Sequence, residues 1–126
     1  MDHAAFQDWL NRYIAAWRSG DAADIGALFS EDVVYRYRPY SEPVRGRAAV
    51  VADWQRSPDE PGSWDAEYYP IAVDGDTAVS VGESRYPGEG KAYSNVFVCR
   101  FDDHGQCREF SEWWVEKPRP KPAAGG

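Results

Sequence analysis

The stretch WDAEYYPIAVDGDTAVSVGESRYPGEGKAYSNVFVCRFDDHGQCREFSEWWV, residues 64–115, decides the fold. Its apolar residues recur at the two-residue period of strands, and two turn signals divide it. Asp74-Gly75-Asp76 separates strands over 64–73 and 77–86, and Asp102-Asp103-His104-Gly105 separates strands over 91–101 and 107–115. In both turns a glycine supplies the positive φ that a tight reversal needs. Pro87-Gly88-Glu89-Gly90 joins the two hairpins, so four consecutive antiparallel strands are expected. Pro70 has no N–H to give to a ladder, which predicts an edge position or a bulge there.

Upstream the period changes to that of helices. Over residues 2–18, Phe6, Leu10, Tyr13, Ile14 and Trp17 fall on one stripe, with Asp2 as N-cap and Gly20 as the C-terminal stop. Asp21 caps a second short helix carrying Ile25, Leu28 and Phe29, which the Ser30-Glu31-Asp32 cluster is expected to break. A strand over 33–38 follows, then a loop over 39–46, then a third helix over 47–56 burying Val50, Val51 and Trp54. The fold class predicted is α+β: three N-terminal helices packed on a curved antiparallel sheet, as a cone-shaped α+β barrel. Residues 1–116 form the one domain, and KPRPKPAAGG, 117–126, a flexible Pro/basic tail. Large apolar residues on both parities of the late strands (Val96, Val98 and Phe101 against Phe97, Trp113 beside Trp114) predict that the second sheet face meets another subunit in a homodimer.

The 126 residues suit one domain, and 43% hydrophobic with 15% aromatic residues suffices for one core. Of the 14 basic residues, Lys117, Arg119 and Lys121 lie in the tail, leaving 11 against 21 acids and a charge of −10 on the domain. Phosphate backbones and anionic lipid would repel such a body, so neither nucleic acid nor membrane is an expected partner. The start MDHAAFQDWL has no apolar run of signal-peptide length, and a cytoplasmic location is expected. Cys99 and Cys107 are read as ordinary thiols. With histidines only at His3 and His104, neither a metal site nor a cofactor is expected.

Four phrases, in this order and spacing, carry a resemblance: RYIAAWRSGDAADIGALFSEDVVY (12–35), VRGRAAVVADW (44–54), FDDHGQ (101–106) and EWW (112–114). They resemble the nuclear transport factor 2-like superfamily and its SnoaL-like domains, whose members include ketosteroid isomerases, polyketide cyclases and limonene epoxide hydrolases. The resemblance implies a ligand pocket between helices and sheet, but one fold hosts many chemistries. Ketosteroid isomerases pair an Asp base with a Tyr and a protonated Asp. By the resemblance the tyrosine matches Tyr13, the base position falls on Tyr37 and the second Asp position near Phe97, so the two carboxyl groups are absent.

Strand parity with Tyr37 inward also turns Tyr35 inward. On the later strands it assigns Tyr93, Asn95, Phe97, Phe110, Glu112 and Trp114 to the same face, with Val79, Val81, Glu83 and Arg85 from the hairpin partner. A one-residue slip would reverse any of these. Tyr13, Trp17, Tyr35, Tyr37, Trp54, Asn95, Phe97 and Trp114 are therefore the expected ligand-binding residues, and Glu83, Arg85 and Glu112 the expected catalytic ones. The rings serve equally well as plain core, and the charges as solvated ion pairs. Three readings follow. The leading one is a SnoaL-like protein that binds a small hydrophobic or aromatic molecule and has acid-base enzyme potential as an isomerase, cyclase, lyase or hydrolase. The second is a non-catalytic dimeric ligand-binding or interaction module. The third resembles epoxide hydrolase, with the charged trio activating water.

Overall fold

The computed structural model describes residues 1–56, 58–60 and 62–118. The expected tail lies outside the described residues from 119 onward.

Helix α1 (His3–Ser19) begins where Asp2 Oδ1 accepts the Ala5 N–H at 2.8 Å and ends where Gly20 adopts φ 64°. It buries Phe6, Trp9, Leu10, Tyr13 and Ala16, while Ile14 and Trp17 are only partly covered. Trp9 was not on the expected stripe, although it lies three residues beyond Phe6 on the same helical face. It is fully buried, and its indole N–H donates to Leu28 O at 3.0 Å, fastening α1 to the start of the sheet. Asp21 caps α2 (Ala22–Gly26) through the N–H groups of Ala23 and Asp24.

Strand β1 (Phe29–Arg36) starts four residues before the expected strand. Helix α2 stops at Gly26, short of the Leu28 and Phe29 it was expected to carry, and Ser30-Glu31-Asp32, expected to end that helix, lies within the strand instead. Phe29 pairs with Cys107 on the last strand, and the irregularity is absorbed as a register shift between Phe29 and Val34. A two-residue strand, β2 (Val44–Arg45), was not foreseen and covers the edge of β1. Helix α3 (Arg47–Arg56) matches its expected span but fully buries only Val50, with Val51 and Trp54 partly covered. The hairpins follow as β3 (Asp65–Asp74), β4 (Thr77–Tyr86), β5 (Lys91–Phe101) and β6 (Cys107–Glu116), with a 3-10 turn at Pro87–Glu89.

The six strands form one open sheet in the order β2-β1-β6-β5-β4-β3, antiparallel throughout except for the parallel β1–β6 pair. Pro70 lies on the edge strand β3 beside a bulge between Pro70 and Ala72, as its missing N–H requires. A Cβ at Gly82 would lie 2.0 Å from Glu67 O, so only glycine lets β3 curl over the concave face at this point. The helices fill one end of that concavity. Trp9 meets Phe101 edge-on at 5.3 Å, and Tyr13 stacks on Phe110 at 5.7 Å.

The β4–β5 register corrects one expectation. Ser80 pairs with Phe97, Gly82 with Asn95 and Ser84 with Tyr93, so even-numbered β4 residues share the inner face with odd-numbered β5 residues. Ala78, Ser80 and Ser84 are the buried ones. Val79, Val81, Glu83 and Arg85 therefore face outward.

Candidate functional site

Beyond Tyr13 the concavity is hollow. A cavity of about 470 Å³ is lined by Tyr13 and Trp17 of α1, Tyr35 and Tyr37 at the end of β1, Asp53 and Trp54 of α3, and the inner face of β3 to β6. This size suits a small organic ligand.

Glu112 is its chemical centre. Asn95 Nδ2 donates to Glu112 Oε2 at 2.7 Å, and Asn95 Oδ1 accepts from Ser84 Oγ at 3.0 Å, so a hydrogen-bonded line crosses β6, β5 and β4. These are diagonal contacts between same-face neighbours on adjacent strands. Burial pushes the Glu112 carboxyl up to about 7, against a smaller downward pull from the Asn95 hydrogen bond. The group therefore holds and releases a proton near neutrality, as a general acid or base requires.

Phenols surround it. Tyr13 and Tyr35 share a hydrogen bond of 3.0 Å between their hydroxyls. One O–H donates to the other, leaving a single hydroxyl proton for a third acceptor. Burial raises both well above the ordinary tyrosine value, as it does Tyr68 and Tyr86. Tyr37 is raised first by burial and then by its 2.5 Å hydrogen bond to Asp53 Oδ2, whose other oxygen meets Arg56 at 3.1 Å. All five stay neutral across the physiological range and act as donors, never as bases.

Of the ligand-binding residues expected from sequence, Tyr13, Trp17, Tyr35, Tyr37, Trp54, Asn95 and Trp114 line the cavity. Phe97 does not; it is 1% exposed and backs the wall against Tyr68 and Phe110 at 4.6 and 4.8 Å. The expected catalytic trio does not assemble. Glu112 is inside, but Arg85 lies on the outer face among Asp65, Glu67 and Glu83, and Glu83 also pairs with Lys117. The error is the β4 parity, and the epoxide hydrolase-like arrangement goes with it. Ser84, Tyr86 and Tyr68 were missed for the same reason: counting pairs across the 87–90 connection would have turned Ser84 and Tyr86 inward. Asp53, Asp59 and Glu89 also line the cavity without having been singled out. Among the described residues no group of three or more His, Cys, Asp or Glu could hold a metal ion, and no helix is long and apolar enough to cross a membrane.

A family model described as a SnoaL-like domain matches residues 10–110. No curated protein matches the chain. Among solved structures, the chain is similar to a ketosteroid isomerase candidate from Kribbella flavida, with 22% identity and a TM-score of 0.71 over 98% of this chain and 87% of the other. It is also similar to an NTF-2 like protein of unknown function from Burkholderia xenovorans, with 18% identity and a TM-score of 0.70 over 97% and 89%. An uncharacterized Silicibacter pomeroyi protein with a cystatin-like fold gives 21% identity and a TM-score of 0.63 over 89% and 75%. At these identities the likeness shows the fold.

The position of Glu112 has a thermodynamic consequence. Its folded value of about 7 stands above the ordinary 4.5, so the folded protein holds this proton more tightly than the unfolded chain does. The resulting stability is fully present below about 4.5 and lost as pH rises through about 7. Glu112→Gln keeps an oxygen for Asn95 without the charge. It is expected to be more stable than wild type at alkaline pH, by on the order of 3 kcal/mol, and equal to it in mild acid. Denaturant unfolding of both proteins at the two pH values checks this; equal midpoints at alkaline pH contradict it.

Proposed function

The chain belongs to the SnoaL-like domain family, and on that premise we propose that it is an acid-base enzyme acting on a small, ring-containing molecule held in the cavity. The observation that carries this reading is the Glu112 carboxyl, poised near neutrality inside an aromatic cavity and fixed by Asn95. Glu112 takes a proton from the ligand with the oxygen that Asn95 does not hold. Negative charge then develops on a ligand oxygen, and the spare hydroxyl proton of the Tyr13–Tyr35 pair stabilises it. The base thus comes from β6 and not from Tyr37 or Phe97, where the resemblance sought carboxyl groups. The alternative of a cavity collapsed on Trp17, Trp54 and Trp114 fits poorly with about 470 Å³ of open space between them.

We also propose a homodimer through the outer sheet face. The register places Val79, Val81, Val96, Val98 and Trp113 there as cross-strand neighbours. Tyr69, Ile71 and Val115 are 50, 55 and 69% exposed on the single chain. That continuous apolar surface favours a second copy over water.

Proton abstraction is tested with β-tetralone, a bicyclic ketone with acidic α-hydrogens, by following their exchange for deuterium by NMR in heavy water. Wild type is expected to accelerate exchange with a rate that rises through about pH 7, following the Glu112 ionisation, and Glu112→Gln to lose about 100-fold or more of it. Exchange unaffected by the substitution, or absent although the ketone raises the melting temperature, overturns acid-base turnover. For the assembly, light scattering is expected to give the dimer mass and Trp113→Glu the monomer; a wild-type monomer at tens of micromolar overturns it.

A further inference from the structure

We infer that the natural ligand of the cavity carries a positive charge, as an amine or quaternary ammonium attached to a hydrophobic ring system. The inference rests on the cavity being the ligand site proposed above and names the chemical class it selects.

The cavity lining contains four carboxyl-bearing side chains, Asp53, Asp59, Glu89 and Glu112, and, among the described residues, no Lys, Arg or His. Asp53 is already matched by Arg56 and Tyr37. The other three make no salt bridge with a described residue. Asp59 accepts the Trp17 indole N–H at 2.8 Å, a hydrogen bond that brings no compensating charge. Among the described residues Glu112 has only the neutral Asn95 as hydrogen-bond partner, through Oε2, and its second oxygen has none. A site built for a carboxylate or phosphate ligand would supply guanidinium or ammonium groups, or a helix N-terminus. Here anionic ligands meet uncompensated like charge instead.

The walls agree with the charge. Trp17, Trp54, Tyr86, Tyr93 and Trp114 all line the same space. Their ring faces carry negative electrostatic potential, which attracts a cation and most strongly where water is excluded. Tyr93 packs edge-on against Tyr86 at 5.9 Å and Trp114 at 5.5 Å, so the three rings form one contiguous stretch of the lining. Rings of this region already take cations from outside. Arg38 lies 4.6 Å above Trp114 but is not among the residues lining the cavity, and Arg18 lies 5.3 Å above Trp64, which stacks on Trp17. Inside, the place of such a cation is left to the ligand. Asp59 and Glu89, both exposed, put negative charge where the lining reaches solvent, and Glu112 puts it at depth. A cation entering this cavity meets favourable charge along its whole path.

Three probes that share one ring system and differ in charge test the inference: naphthylmethylamine, naphthylmethanol and naphthoate, each titrated calorimetrically into the intact protein at about pH 8, where the Glu112 carboxyl is ionised and the amine is still largely protonated. The amine is expected to bind about tenfold tighter than the alcohol or more, and naphthoate not to bind. Glu112→Gln is expected to remove most of the amine's advantage while weakening the alcohol far less than the amine. Should that variant fold poorly, Asp59→Asn combined with Glu89→Gln is expected to weaken the amine several-fold and spare the alcohol. Alcohol binding as tightly as the amine, naphthoate binding better than either, or no binding by any probe overturns the inference. The first of these outcomes beside normal exchange of β-tetralone rejects the charge preference and leaves the acid-base reading standing. Loss of exchange beside a preserved amine preference does the reverse.

Discussion

A carboxylate can be placed inside a ring-lined protein only if it finds a partner, keeps its proton or retains some access to water. Glu112 meets that constraint in all three ways, and the inner face of the sheet is organised around it. The Ser84–Asn95–Glu112 line satisfies one oxygen through two neutral side chains and leaves the other to open space. Desolvation does the rest by lifting the carboxyl to about 7. The concave face is thereby divided. Around Phe6, Trp9, Phe101 and Phe110 it is dry and close-packed, and around Glu112 it is polar and hollow. Tyr13 stands at the boundary, stacked on Phe110 on one side and hydrogen-bonded to Tyr35 on the other.

The sheet has to bend for such a hollow to exist, and Gly82 marks where it does. Directly opposite Asn95 in the ladder, it lets β3 close over the inner face where any side chain would meet the β3 backbone. Trp9 secures the other end by tying α1 to Leu28 O. Fixed ends and a bent middle hold the cavity walls apart, and buried Trp64 backs the lining residue Trp17 in a stack at 3.6 Å. A site pre-formed in this way spends little binding energy on ordering itself.

Much of this was legible in the chain. The two hairpins, the caps at Asp2, Gly20 and Asp21, the Pro70 bulge and the span of α3 follow from local chemistry, and the structure agrees with each. Inward placement on β5 and β6 was also legible, because Asn95, Glu112 and Trp114 needed only one correct anchor on each strand. The failures were of another kind. Glu83 and Arg85 were turned inward because the side-chain period of two makes β4 depend on an odd or even count across the 87–90 connection. Strand β1 begins at Phe29 because a long-range partner, Cys107, outweighs the local breaking tendency of Ser30-Glu31-Asp32. Matching Tyr37 and Phe97 to the ketosteroid isomerase carboxyl positions directed attention to where carboxyl groups were missing. It could not reveal that a carboxyl enters the same cavity from β6.

The measurement that tests this account most directly is a titration of the Glu112 side-chain carboxyl by carbon NMR on glutamate-labelled protein, with the signal assigned by its loss in Glu112→Gln. The account predicts a midpoint of about 7, far from those of the exposed glutamates. A midpoint at the ordinary 4.5 would mean that water reaches this carboxyl freely, and the acid-base reading of the cavity would lose its foundation.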